Sequence, residues 1–170
     1  MKFTAAVIAG FAAVAIGSAS AQSINDAQIA SIVVTANQVD IDAGKVAVAR
    51  GSNAEVKAFG QQMVDAHTGV NKSAVELATR LKVTPEDNAT SQALSKQAAE
   101  THDRLDKLSG AAFDQAYAKN EVAYHQAVNG ALEGTLIPSA DNSELKSLLE
   151  TGLTLFTEHQ HHAEHLAAKL

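Results

Sequence analysis

"EVKAFGQQMVDAHTGVNKSAVELATRL", residues 55–81, is the stretch whose reading decides the fold. Val56, Phe59, Met63, Val70, Ala74, Leu77 and Leu81 fall on one line, and His67 falls on it with them. The successive steps are 3, 4, 4, 3, 4, 3 and 4 residues. That spacing follows one face of an α-helix and not the alternation of a strand. At 3.6 residues per turn the stripe lasts about seven turns, long enough for a bundle helix. A histidine sits at its middle, on the side that packs inward.

The same pattern returns at the end of the chain. Leu145, Leu149, Gly152, Phe156, His159, Ala163, Leu166 and Leu170 alternate steps of 4 and 3. An earlier segment carries Ile29, Val33, Ala36, Asp40, Ala43 and Ala47, again at helical spacing, with Asp40 on or beside the stripe. A further segment carries Phe113, Tyr117, Tyr124 and Val128, with Glu121 and His125 four residues apart at the edge of that face.

Helix punctuation divides the chain between these stripes. Asn25 is suited to cap a first helix that runs to about Arg50, where Gly51 stops it. Ser52 to Glu55 reads as a capping box opening the second helix, which runs to about Lys82. Thr84 and Pro85 suit the start of a shorter third segment ending near Leu108. A fourth helix is expected from about Ala111 to Glu133, with Gly134 after it and Pro138 in a loop. Asp141 to Glu144 opens the last helix. Four long helices and one shorter one predict an all-α four-helix bundle, the short helix being the crossover between two helical hairpins. A plain five-helix array is the alternative.

The chain has no cysteine and only two prolines among 170 residues. The absence of thiols excludes disulfides, thiolate metal sites and cysteine nucleophiles. A formal net charge of −6 argues against nucleic acid as a partner. The first residues combine Lys2, an apolar run from Phe3 to Gly17 and the small-residue signature Ala19-Ser20-Ala21. This reads as a secretory signal peptide over residues 1–21, followed by a single helical-bundle domain over 22–170. The expected location is beyond the inner membrane, in the periplasm or associated with the outer membrane. No later run is long and apolar enough to cross a bilayer.

The depth of the ionisable residues follows from helix rise. Asp40 lies about 15 Å and His67 about 22 Å from the first interhelical turn. His125 lies about 18 Å before the second turn and His159 about 27 Å after it. With the two turns at opposite ends of a bundle about 40 Å long, all four residues reach its middle. Buried ionisable groups must be paired, neutralised or bound to metal. Three imidazoles, His67, His125 and His159, with Asp40 and Glu121 as carboxylate ligands or their hydrogen-bonded supports, suit Zn, Cu, Fe or Mn. The competing reading is a metal-free His/Asp/Glu core network in a non-enzymatic envelope structural, interaction or stress protein with a protein partner. A metal-dependent oxidase is a third.

Other chemistry is poorly supported. No nucleophile elbow and no phosphate-cradling glycine loop is present. His161 and His165 fall on a different face from His159 and are expected in solvent. His162 borders the core, and His102 is expected to be solvated.

"EVKAFGQQMVDAHTGVN" (55–71), "LSGAAFDQAYAKNEVAYHQAV" (108–128) and "FTEHQHHAEHL" (156–166) resemble a family of exported bacterial proteins. That family carries the domain-of-unknown-function label 4142 and is often described as predicted outer membrane proteins. The resemblance covers most of residues 22–170 and implies a ferritin-like bundle. It also implies correspondence of the family's histidines to His67, His125 and His159, and of its acidic residue to Asp40, four before Gly44. One departure from ferritin-like di-iron proteins matters. Those use Glu-x-x-His on two helices, whereas this chain has that spacing only at Glu158 to His161, on the outward face. A carboxylate-rich ferroxidase centre is therefore not expected.

Overall fold

The computed structural model describes residues 24–170; the expected signal peptide lies outside the described residues. Those residues form an all-α bundle. α1 spans Asp26–Arg50, α2 Ala54–Leu81, α3 Ala89–Leu105 and α4 Gly110–Ala131. α4 passes through a π-helical turn, Leu132–Leu136, into the single turn α5, Ile137–Ser139. α6 closes the bundle over Ser143–Lys169.

α1 with α2 and α4 with α6 form two antiparallel hairpins. α6 lies antiparallel to α2, tied at one end by Lys169 to Glu55 (3.0 Å) and at the other by Arg80 to Glu144. α3 is the crossover and runs alongside α1 in the same direction. At its start, Glu86 N–H donates to the Ala27 carbonyl (2.9 Å). At its end, Arg50 pairs with Asp106 and donates to the Leu108 carbonyl (2.8 Å). This is the ferritin-like arrangement, four long helices with a shorter crossing one.

Local chemistry sets the ends. Asn25 caps α1 in a full capping box with Gln28. Asn53, not Ser52, caps α2 by accepting from the Glu55 N–H (2.7 Å). Ser52 is drawn away instead. Its N–H donates to Asp114 of α4 (2.9 Å), as does that of Asn53 (2.9 Å), and its hydroxyl joins them. Asp114 thus stitches α4 to the α1–α2 turn. α3 begins later than Thr84–Pro85 predicts, because Asn88 caps it through Thr90 and Ser91; Pro85 stays in the preceding loop. α3 also ends earlier than expected, at Leu105. The larger difference is at Gly134 and Pro138, which lie inside continuous helical backbone. A proline ring collides with the carbonyl four residues back. The backbone widens into the π turn over that stretch, with Ile137 N–H bonding to the Leu132 carbonyl.

α1 and α2 approach closely at two glycines. A Cβ on Gly44 would lie 2.6 Å from the Gly60 carbonyl, and one on Gly60 would lie 2.8 Å from the Ala47 Cβ. Only hydrogen fits there. The contact fixes the register of the first hairpin, one turn from Asp40 and two turns from His67.

The core is divided. One apolar cluster holds Ile29, Ile32, Leu132, Leu149 and Phe156. The other holds Phe59, Met63, Phe113, Tyr117 and Leu166. Each fully buried large side chain contributes about 1.5–3 kcal/mol. Between the two clusters lies a layer of polar and ionisable residues.

Candidate metal centre

Each long helix contributes to that layer. α1 supplies Asp40, α2 His67, α4 Glu121 and His125, and α6 His159, all between 0% and 2% exposed. The five residues anticipated from the sequence therefore meet at the centre of the bundle. Nitrogens of His67, His125 and His159 lie within 4.8 Å of one another, and donor atoms of Asp40, Glu121 and His125 do likewise. Their placement on α4 differs from the sequence reading in one respect. The buried line is Phe113, Tyr117, Glu121, His125 and Asn129, at strict steps of four, while Tyr124 and Val128 are only partly buried. Glu121 and His125 are central, not marginal. Aromatic residues drew the expected face toward Tyr124, whose hydroxyl instead donates to the Ala36 carbonyl (2.6 Å).

The hydrogen bonds behind the histidines fix which nitrogen faces inward. His125 Nδ1 lies 3.0 Å from the Glu121 carbonyl, an acceptor only, so this nitrogen carries the proton. His67 Nδ1 lies 2.7 Å from Asn37 Oδ1. The Asn37 amide donates through Nδ2 to the Val33 carbonyl (2.8 Å), which leaves Oδ1 as an acceptor facing His67. His125 therefore turns a bare Nε2 lone pair into the centre, and His67 turns its Nε2 toward the Asp40 carboxylate. This is how metal-ligating histidines are commonly held.

The inward atoms converge without satisfying one another. Asp40 Oδ2 lies 2.6 Å from His67 Nε2 and 3.5 Å from His125 Nε2. Yet among the described residues neither Asp40 oxygen nor either Nε2 has an aligned hydrogen bond, and both nitrogens of His159 have none. The rings are packed firmly: His67 stacks on Phe156 (centroids 4.6 Å apart, planes 11° apart), and the His67–His159 and His125–His159 centroids are 5.3 and 5.5 Å apart.

The electrostatics fit a cation. Burial pushes the Asp40 carboxyl up, but the facing His67, 2.6 Å away, and then the charge of His125 outweigh it and hold the group at about 2. Burial, and then the charge of Asp40, raise Glu121 well above the usual carboxylate range. Burial lowers His125. Burial, and then repulsion from His67 and His125, bring His159 down to about 3. The centre thus sets an Asp40 carboxyl that favours its charged form beside a Glu121 carboxyl whose loss of a proton is disfavoured by burial, and then by Asp40. A divalent ion reverses that last effect, since it lowers the pKa of an acid beside it.

Reasoning from the sequence missed Asn37, a buried amide whose position in the first helix carries no motif. It also missed the Tyr117 hydroxyl, buried without a partner one turn from Glu121 and raised well above its ordinary value by burial, then by the charges of Glu121 and Asp40. The other histidines lie outside the centre. His161 and His165 are exposed, as is Glu158. His162 rests edge-on against Phe59 (5.0 Å) and meets Gln62 at 3.0 Å. His102 pairs with Asp106 at 3.1 Å.

A family model described as "Domain of unknown function (DUF4142)" matches residues 12–166. No match is found among curated proteins or among solved structures.

Proposed function

Because the chain belongs to the DUF4142 family, whose description names no activity, we propose a function from the site itself: the protein binds one transition-metal ion at the middle of the bundle. His67 Nε2, His125 Nε2, one nitrogen of His159 and the Asp40 carboxylate are its ligands, and Glu121 is a further donor. The observation that carries this reading is His159, a fully buried imidazole with neither nitrogen hydrogen-bonded to any of the described residues. A buried polar group left unmatched costs about 1–3 kcal/mol, and a coordinate bond removes that cost. Three imidazoles with carboxylates suit Zn, Cu, Fe or Mn. With a leader at residues 1–21, the ion would be handled outside the inner membrane, in the periplasm or at the outer membrane.

A metal-free core in an envelope structural or stress protein draws support from the 2.6 Å contact of Asp40 with His67. It gives no role to His159. An oxidase acting through the metal would need an open coordination position and turnover.

The test is elemental analysis of untagged protein purified from the periplasm, beside His67→Ala and His159→Ala variants. The expected result is about one equivalent of a single metal, lost in both variants, and a melting temperature lowered by chelator. A wild-type protein that is metal-free and takes up none of Zn²⁺, Cu²⁺, Fe²⁺ or Mn²⁺ on titration overturns the reading.

A further inference from the structure

α1 and α4 touch little along their length, and α3 roofs the gap between them. The result is a cavity of about 760 Å³ that opens to solvent. This is within the size range of small-molecule sites, which run to about 1,000 Å³. Its walls are largely apolar. Leu94, Ala98 and Leu105 line it from α3, Val128 from α4, and Leu149 and Phe156 from α6. It extends along α1 from Ile32 to Val46, about 21 Å at the helical rise, the length of an extended chain such as palmitate.

The two ends differ in polarity. Leu132, Leu136 and Leu148 line one end. At the other, four charged or titratable groups line the rim: Asp42, Glu100, His102 and Arg104. Asp42 has Lys45 at 3.0 Å, Glu100 has Lys96 at 4.0 Å and His102 has Asp106 at 3.1 Å. Arg104 meets only the Asn120 amide oxygen (3.2 Å) and the Thr101 hydroxyl (3.4 Å). Among the described residues no carboxylate pairs with it. A long apolar trough thus ends at one uncompensated guanidinium, which is shaped to hold a carboxylate by paired hydrogen bonds.

We propose that this cavity binds a free long-chain monocarboxylate, its chain under α3 and its carboxylate on Arg104. The chain would lie against Phe156 and Tyr124, rings that pack on His67 and His125. The proposal does not depend on a metal in the centre, and it can be tested on chelator-treated protein.

The experiment is a fluorescence titration of the full exported chain with cis-parinaric acid, followed by displacement. Saturable binding of one equivalent is expected, displaced by palmitate and not by octanoate or hexadecyltrimethylammonium. Arg104→Ala should weaken palmitate about tenfold, the worth of one charge-assisted hydrogen bond. Ala98→Phe, which fills the trough from the α3 side, should abolish binding while leaving metal content unchanged. Ala127→Phe does the same from α4 and serves if Ala98→Phe fails to fold by circular dichroism. Unsaturable binding, equal displacement by the cationic amphiphile, or wild-type affinity in a folded trough-filling variant overturns the proposal.

Discussion

Asn37 gives the sharpest test of how the centre is organised. Its Oδ1, 2.7 Å from His67 Nδ1, accepts the proton of that nitrogen and so leaves Nε2 available to an ion in the centre. In Asn37→Leu the acceptor is gone while the branched four-atom shape is kept, at an overpacking cost of about 1–3 kcal/mol to the fold. His67 is then free to move its proton to Nε2, into the space the ion needs. Loss of such an outer partner typically costs 10–100-fold in metal affinity, about 1.4–2.7 kcal/mol. Asn37→Asp keeps the acceptor and strengthens it with charge, so its affinity should equal or exceed that of the wild type. Competition between each protein and a fluorescent chelator for Zn²⁺ at neutral pH measures the difference. The reasoning is refuted if Asn37→Leu binds Zn²⁺ as tightly as the wild type, or if Asn37→Asp is weakened as much as Asn37→Leu.

Three further predictions concern the stability of the fold and its protons. His159→Leu should abolish metal binding yet raise the urea stability of the metal-free fold by about 1–3 kcal/mol, because it removes a buried group with no partner; a loss of stability would instead indicate a hydrogen-bonded core network. The same variant should flatten the acid limb of stability. His159 is held at about 3 when folded against 6.5 when unfolded, so the unfolded chain takes up the proton first, and stability falls as pH drops from 6.5 toward 3. Asp40, lowered to about 2 from 3.8, acts in the same direction further into acid. Glu121, raised from 4.5, acts in the opposite one: its contribution is present below 4.5 and is lost as pH rises through its folded value. Metal uptake should therefore release a proton from Glu121, measured calorimetrically as a dependence of heat on buffer ionisation across a pH series, and Glu121→Gln should release one fewer.

Much of the architecture is legible in residue spacing. The stripes through His67 and His159 are interrupted by few competing apolar residues, so one face dominates and the helix direction is unambiguous. α4 is harder. Its inner line contains Asp114, Glu121, His125 and Asn129, and hydropathy assigns such residues outward. Tyr124, being aromatic, pulled the expected face round by part of a turn. Breaker residues misled for a related reason. Gly134 and Pro138 usually end helices, but a π turn absorbs the proline ring here and the helix continues. Ser52 shows the same limit at a cap. Its type suits the N-cap, yet Asp114, 62 residues away, claims it, and Asn53 takes the position.

The composition of the centre was readable because helix rise alone brings Asp40, His67, His125 and His159 to one height. What spacing does not encode is whether those atoms satisfy one another. A His/Asp/Glu network and a metal site use the same residue types at the same depths. They differ in where each nitrogen's second partner lies. For His67 that partner is Asn37, thirty residues away. For His125 it is the Glu121 carbonyl on its own helix. For His159 there is none among the described residues. A network that had evolved to be complete without an ion would place a serine, an amide or a backbone carbonyl beside His159, since a buried ring with no acceptor costs stability and adds nothing to packing that leucine would not supply. His67 and His125, each oriented from behind by one acceptor, point the same way: the groups are arranged around a shared point, and a cation there is the proposal that gives His159 a partner.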